Sequence, residues 1–275
     1  MLRIAVAGTP LSTPGSGGTV KGIAYAASLG IKAMEIEWVQ SVPKEPRRMA
    51  EILAAAEVND VSLTVHAPYY VNLNSPEPAK LAASITRVTD ALTMAQLCGA
   101  WSVCVHAAFY LKDPPEKALD RVRKAVEKIL KRKAAQFPDV NLALETMGKH
   151  SQFGTVDEVL IISKEFDLFP CVDPAHLHAR ANGGVNTIKE WDALFDQYAK
   201  VLGKKSLKKM HMHYSGIEYT AAGERYHLPF KESDARWEDF LKVLKKREIG
   251  GQLVCESPAM EKDTILLMKA YEKLR

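Results

Sequence analysis

The sequence predicts a (β/α)8 barrel, with the active site at the C-terminal ends of its strands and one domain over residues 1–275. Three observations point there. Short apolar runs alternate with helical patterns along the whole chain, which implies a parallel sheet joined by right-handed crossovers. Eight such units can be counted, the number at which the sheet closes on itself. Six of the apolar runs end in a potential ligand, whereas a doubly wound open sheet would gather its polar groups at one switch point.

Residues 2–7 form the first strand, which stops at Gly8-Thr9-Pro10. The loop runs through Pro14-Gly15-Ser16-Gly17-Gly18 before a helical pattern starts at Thr19. It has no Gly-Lys-Ser/Thr ending and no dinucleotide fingerprint, so its glycines read as a tight turn and not as a phosphate cradle. Strand 33–36, helix 46–58, strand 62–66, helix 78–97, strand 102–106 and helix 115–136 follow. Pro46, Pro78 and Pro115 open these helices, where a fixed φ and a missing N–H suit the first turn. The second half pairs strand 141–145 with helix 156–165, and strand 169–173 with helix 188–201. Strand 208–213 precedes helix 237–247, and strand 252–256 precedes helix 262–273. No linker, low-complexity tract or sequence self-similarity divides the chain.

Hydrophobic residues at 47% and charged residues at 25% fit a soluble globular protein and argue against disorder. The net charge of +4 is compatible with a polyanionic partner without specifying one. Cys98, Cys104, Cys171 and Cys255 show no Cys-x-x-Cys spacing and read as small buried hydrophobes in a reducing compartment. The start of the sequence has no signal-peptide layout, and no stretch is long enough to span a bilayer. The expectation is a cytoplasmic protein without membrane contact.

In a closed barrel, position alone gathers the strand-end residues His66, His106, Glu145, Asp173, His211 and Glu256. His176, His213 and His227 lie in or beside the following loops. Alternation along a strand places Thr64 with His66, Cys104 with His106, Ala143 with Glu145, Cys171 with Asp173, and His211 with His213 on inward faces. A single strand-end histidine is ordinarily a hydrogen-bonded core residue. Here six of the eight histidines fall on one face, leaving only His150 and His178 to be explained separately. Mixed imidazole and carboxylate donors suit zinc or manganese better than magnesium or calcium. The donors also outnumber the needs of one ion. A carboxylate bridging two ions about 3.5–4 Å apart suits the attacking and leaving oxygens of a phosphoester.

These residues resemble the endonuclease IV family of apurinic/apyrimidinic endonucleases, a branch of the xylose isomerase-like barrels. The likeness rests on His66-Ala67-Pro68-Tyr69-Tyr70-Val71-Asn72-Leu73 with Ser75-Pro76, Glu145-Thr146 with Gly148, Asp173-Pro174-Ala175-His176, and Glu256-Ser257-Pro258. The resemblance implies a zinc cluster, with His66, His106 and Glu145 on one ion and Glu145, Asp173, His211 and Glu256 on a second. His176 and His227 would hold a third. The family's aspartate two residues before the last histidine is replaced by Arg225, so Glu224 is the candidate substitute. Further departures are Ala107-Ala108 after His106, where the family has Pro-Gly, and His211-Met212-His213-Tyr214-Ser215 in place of His-Leu-Asn-Asp.

The resemblance also implies that Tyr69 and Tyr70 insert into DNA at the lesion. Lys44, Arg47 and Arg48 are candidates for phosphate contact, or equally a solvated helix start. The expected activity is metal-dependent hydrolysis of double-stranded DNA 5′ to an abasic site by a monomer, with Glu145 bridging ions and orienting the nucleophile. The alternative is a sugar isomerase or epimerase using one Mn or Mg ion at Glu145, Asp173, His211 and Glu256. A barrel that binds without catalysis is the third possibility, prompted by Arg225 and the altered neighbours of His106 and His211.

Overall fold

The structure is a computed structural model that describes residues 1–274, apart from the side chains of 133 and 134. Its first half runs β1 (Leu2–Ala7), α1 (Thr19–Ser28), β2 (Ala33–Glu37), α2 (Pro46–Asn59), β3 (Ser62–His66), α3 (Pro78–Leu97), β4 (Ser102–Val105), β5 (Ala108–Phe109), α4 (Pro115–Leu130) and α5 (Lys133–Gln136). The chain continues through β6 (Asn141–Leu144), β7 (Gln152–Phe153), α6 (Val156–Phe166), β8 (Cys171–Val172), α7 (Pro174–Arg180) and α8 (Ile188–Leu202). It ends with β9 (Met210–Tyr214), β10 (Gly216–Thr220), β11 (Gly223–Leu228), α9 (Trp237–Lys246), β12 (Gly251–Cys255) and α10 (Glu261–Lys273).

Eight parallel strands pair in the order β6-β4-β3-β2-β1-β12-β9-β8. A bridge between Glu145 and Cys171 joins the two outer strands, so the sheet is a nearly closed barrel. Three features depart from the reading of the sequence. The helix expected over 115–136 breaks after Leu130, where Arg132 turns back to the Ile129 carbonyl at 3.2 Å and ends the run in a tightened turn. Two small antiparallel sheets, β5 with β7 and the hairpin of β10 with β11, rise from the loops. The segment after Asp173 forms a helix, α7, because Pro174 occupies its first turn and Asp173 caps it.

Strand alternation divides the residues into two environments. Outward residues such as Val6, Ile36, Val65, Val105 and Leu144 pack under the first helices, and Met210, Met212, Tyr214 and Leu253 pack under the later ones. The inward face carries Ala5, Ala33 and Val254 on one side and Cys104, Ala143 and Cys171 on the other. Small side chains there leave room for buried polar ones, including Glu35, Thr64, Ser102, Asn141, His211 and Gln252. The glycine-rich loop after β1 is tied down by Glu261, which accepts from the Leu11 and Ser12 amides at 2.9 and 3.1 Å. Among the described residues no helix is long and apolar enough to cross a membrane.

Two expectations follow from this packing. Phe240 lies 5.3 Å from Trp191 and 4.8 Å from Tyr214 between ring centroids. Phe240→Ala is expected to lower the unfolding free energy by about 3–5 kcal/mol, read from the denaturant midpoint at constant slope. A loss below about 1 kcal/mol would show that these rings do not support the barrel wall. The second concerns the cap of α8, where Glu190 accepts from the Asn186 and Thr187 amides and the Thr187 hydroxyl at 2.7–2.9 Å. Hydrogen bonds from Asn186 and Thr187 lower its pKa from 4.5 to about 2. Since the folded value is the depressed one, its stabilisation is complete above about 4.5 and fades as pH falls toward about 2. Glu190→Gln should flatten the stability profile in that window, and an unchanged profile would refute the assignment.

Candidate metal centre

Glu145 follows β6 at the C-terminal mouth of the barrel and is fully buried. Its two carboxylate oxygens face different groups. Oε2 lies 2.9 Å from His106 Nε2 and 3.6 Å from His66 Nε2, while Oε1 lies 3.2 Å from His213 Nδ1 and 3.2 Å from His176 Nδ1. The backbone sets the orientation of several imidazoles. His66, His176 and His227 place Nδ1 against the carbonyls of Ala67, Thr146 and Glu256 at 2.7, 3.0 and 3.2 Å. With Nδ1 donating its hydrogen, Nε2 presents a lone pair to the site, the arrangement a metal-binding imidazole requires.

Asp173 divides its functions in the same way. Oδ1 accepts from the Ala175 and His176 amides at 2.7 and 3.0 Å and so starts α7. Oδ2 is buried with no hydrogen-bond partner, 3.3 Å from His176 Nδ1, and the carboxylate groups with Glu145, Glu256 and His213. The histidine of this group corrects the reading of the sequence: it is His213 and not His211. Both side chains point into the barrel, but His213 is one inward step nearer the C-terminal mouth, in register with Val254, whereas His211 is level with Cys171 and Gln252. His211 instead contacts Glu35 at 2.8 Å and Ser102 at 3.1 Å below the cluster.

His176, Glu224 and His227 form a separate group. Their convergence depends on an irregularity in the β10–β11 hairpin. Glu218 pairs with Tyr226 and the next residue, Tyr219, pairs with Glu224, so Arg225 is an extra residue without a partner. Strict alternation would put Arg225 and His227 on one side; the bulge brings Glu224 to the side of His227. Arg225 is exposed and lies over the Tyr226 ring at 5.5 Å. The remaining histidines are elsewhere: His178 pairs with Asp234 at 3.0 Å, and His150 is exposed.

The donor set fits divalent cations. Donor atoms of Glu145, Asp173, His213 and Glu256 all lie within 4.8 Å of one another, which gathers three carboxylates in a space largely shut off from water. Burial pushes each carboxyl up, and in Asp173 it prevails. In Glu145 the burial effect is outweighed by His106 and His213, which hold it well below the usual range. In Glu256 it is outweighed by His213 and His227, and the pKa falls to about 2. Such a concentration of carboxylates, with Asp173 Oδ2 lacking a hydrogen bond, suits a cation.

Tyr69 and Tyr70 are 48% and 66% exposed, so both are available to a substrate at the rim. Tyr69 stacks on His106 with centroids 5.1 Å apart. The adjoining cavity of about 340 Å³ is lined by Tyr69, Phe109, Lys149, Gln152, Glu224 and His227 among others. Phe109, Lys149 and Gln152 carry no motif, and only the antiparallel pairing of β5 with β7 and its flanking loop bring them to the rim. Lys44 and Arg47 pair with Asp90 and Glu51 at 3.6 and 3.2 Å, whereas Arg48 lines a second cavity with Glu37 and Trp38. Glu37 also escaped the sequence reading; burial raises its pKa to about 8.

Gly148 offers a test of the third group. A Cβ there would come within 2.7 Å of Glu224 Cβ and 3.2 Å of the His176 ring. Gly148→Ala is expected to weaken one metal equivalent by about 10-fold or more while the others bind as before, measured by metal content against chelator. Equal weakening of every equivalent, or of none, would contradict the separation of this group.

A family model described as xylose isomerase-like TIM barrel matches residues 23–274. An uncharacterized protein of Methanocaldococcus jannaschii is 36% identical over 274 residues, spanning 100% of this chain and 98% of that one. A protein of Oceanobacillus iheyensis named probable endonuclease 4 is 27% identical over 183 residues, 64% of this chain and 59% of its own length. Endonuclease IV from Thermus thermophilus superposes with a TM-score of 0.74 at 19% identity, covering 98% of this chain and 97% of that one. A D-tagatose 3-epimerase-like protein superposes with a TM-score of 0.73 at 16% identity, covering 98% and 96%. Structural likeness at these identities establishes architecture and leaves chemistry to the site. Matched by the family model from the first helix to the last, the chain belongs to the xylose isomerase-like TIM barrel family.

Proposed function

We propose that the protein is a cytoplasmic, monomeric, metal-dependent endonuclease that hydrolyses double-stranded DNA 5′ to an abasic site and leaves a 3′-hydroxyl. The observation that carries this reading is the division of Glu145 between His106 and His66 on one oxygen and His213 on the other. A carboxylate flanked by two histidine sets suits two ions, and His176, Glu224 and His227 provide for a third. Zinc fits these mixed donors best, with manganese as a substitute. The ligand sets are then His66, His106 and Glu145; Glu145, Asp173, His213 and Glu256; and His176, Glu224 and His227.

Bound zinc supplies Lewis acidity, bringing the pKa of water near neutrality and offsetting charge on a phosphate. The chain's own residues do the rest. Glu145, kept ionised by His106 and His213, holds the two histidine sets at a fixed separation. The Tyr69 ring, backed by His106, offers a face for stacking, and Tyr70 beside it suits insertion at the gap left by an extruded nucleotide. A cavity of about 340 Å³ suits one extruded sugar-phosphate and excludes a duplex. Lys149 at its rim makes no ion pair among the described residues and can meet a phosphate as a point charge.

The four residues Glu145, Asp173, His213 and Glu256 also support a second reading, a one-ion sugar epimerase, favoured by the fold shared with the D-tagatose 3-epimerase-like protein. Incubation with an abasic duplex separates the two. The expected result is incision that chelator abolishes and zinc restores, with Glu145→Gln slower by more than about 100-fold, the loss that changes outside a ligand shell already bring. No incision by metal-loaded protein would overturn the proposal. One ion per chain together with ketose turnover would establish the epimerase.

A further inference from the structure

Beneath the candidate metal centre is a buried hydrogen-bond chain that no sequence motif announced. β2 directs Glu35 into the barrel, opposite the histidines of β9, and Glu35, His211 and His213 are each 0% exposed. Glu35 Oε2 lies 2.8 Å from His211 Nε2, and Glu35 Oε1 lies 2.8 Å from His213 Nε2. His211 Nδ1 is 3.1 Å from the Ser102 hydroxyl, which accepts from the Asn141 amide at 3.1 Å. The hydrogen bonds therefore run from the barrel floor through Ser102 and His211 to Glu35, whose other oxygen faces His213.

His213 Nε2 and Glu35 Oε1 are both buried and have no other partner, although the N–H direction lies off the line that joins them. At 2.8 Å a hydrogen between them is what either atom needs to avoid an uncompensated burial. The other nitrogen, Nδ1, is 3.2 Å from Glu145 and 3.3 Å from Glu256. His213 differs in this from His66, His176 and His227, whose Nδ1 atoms are held by backbone carbonyls. No carbonyl fixes the His213 tautomer, so a side chain must.

We propose that Glu35 is a positioning residue of the metal centre, holding His213 with its Nε2–H on the carboxylate and its Nδ1 lone pair toward the ion, and that His211 is the clamp that aims Glu35. A carboxylate behind a metal-binding histidine fixes the ring and makes it a stronger donor. His211 then has a use although it lies outside the ligand group: its Nε2–H occupies Oε2 and leaves Oε1 for His213. The inference rests on the reading that His213 ligates an ion; it adds the residue that makes His213 competent to do so.

The test is metal binding by the full-length chain, measured without DNA by chelator competition and metal content, with cobalt absorption as the spectroscopic signature. Glu35→Gln keeps the shape and removes the charge. It is expected to retain every ion at saturation, to weaken one of them by about 10–100-fold, and to shift the cobalt spectrum. Glu35→Asp, which restores the charge on a shorter stem, should recover part of the affinity. His211→Asn is the second variant, useful if Glu35→Gln does not fold: it should also keep every ion and bind one of them more weakly.

Wild-type affinity and an unchanged cobalt spectrum in Glu35→Gln would overturn the inference while leaving the functional reading intact. So would loss of one ion at saturation, in Glu35→Gln because Glu35 is then a ligand itself, or in His211→Asn because His211 is. If wild-type protein takes up no ion, the functional reading fails and the inference with it.

Discussion

The structure turns on a buried carboxylate with two different neighbours. Glu145 is shut off from water, so its charge has to be met inside the protein, and its oxygens are met by imidazoles on opposite sides. An isolated carboxylate in such a place would take up a proton; the surrounding histidines keep this one ionised. That balance requires His66, His106, His176 and His213, which come from four different segments, to arrive together. Only a rigid frame can hold donors that distant in the chain at such distances.

The barrel supplies that frame through an unequal use of its two faces. Outward residues are large and apolar and anchor the helices, as the aromatic group around Phe240 illustrates. Inward residues are small wherever polar ones must fit: Cys104, Ala143 and Cys171 form one side of the floor beneath Glu145. A barrel filled with branched apolar side chains would be a more ordinary core. Here the interior instead continues downward through His211, Ser102 and Asn141, so the polar network is supported from below as well as shaped from above.

Above the strands, irregular backbone does what regular strands cannot. The bulge at Arg225 brings Glu224 beside His227, and the antiparallel β5–β7 pair and its flanking loop bring Phe109, Lys149 and Gln152 to the cavity rim. Gly154, at φ +138°, lets the chain pass close to Glu145: a Cβ there would lie 2.6 Å from the Glu145 carbonyl. Variation in such loops on a constant frame is how barrels of one architecture carry different chemistries.

The order of strands and helices, and the convergence of His66, His106, Glu145, Asp173, His176 and Glu256 at one mouth of the barrel, were legible in the sequence, because a residue at or just past a strand end in a closed barrel has one place to go. The helical break after Leu130, the α7 helix and the two small antiparallel sheets were not. Nor was the choice between His211 and His213: a period of two puts both inside the barrel, and the height of each in the sheet depends on register with β8 and β12. Glu35 stayed hidden for a related reason. It sits one inward step before the end of β2, and only the closing of the sheet brings it against β9. Local sequence sets which way a side chain points; partners more than a hundred residues away decide what it meets.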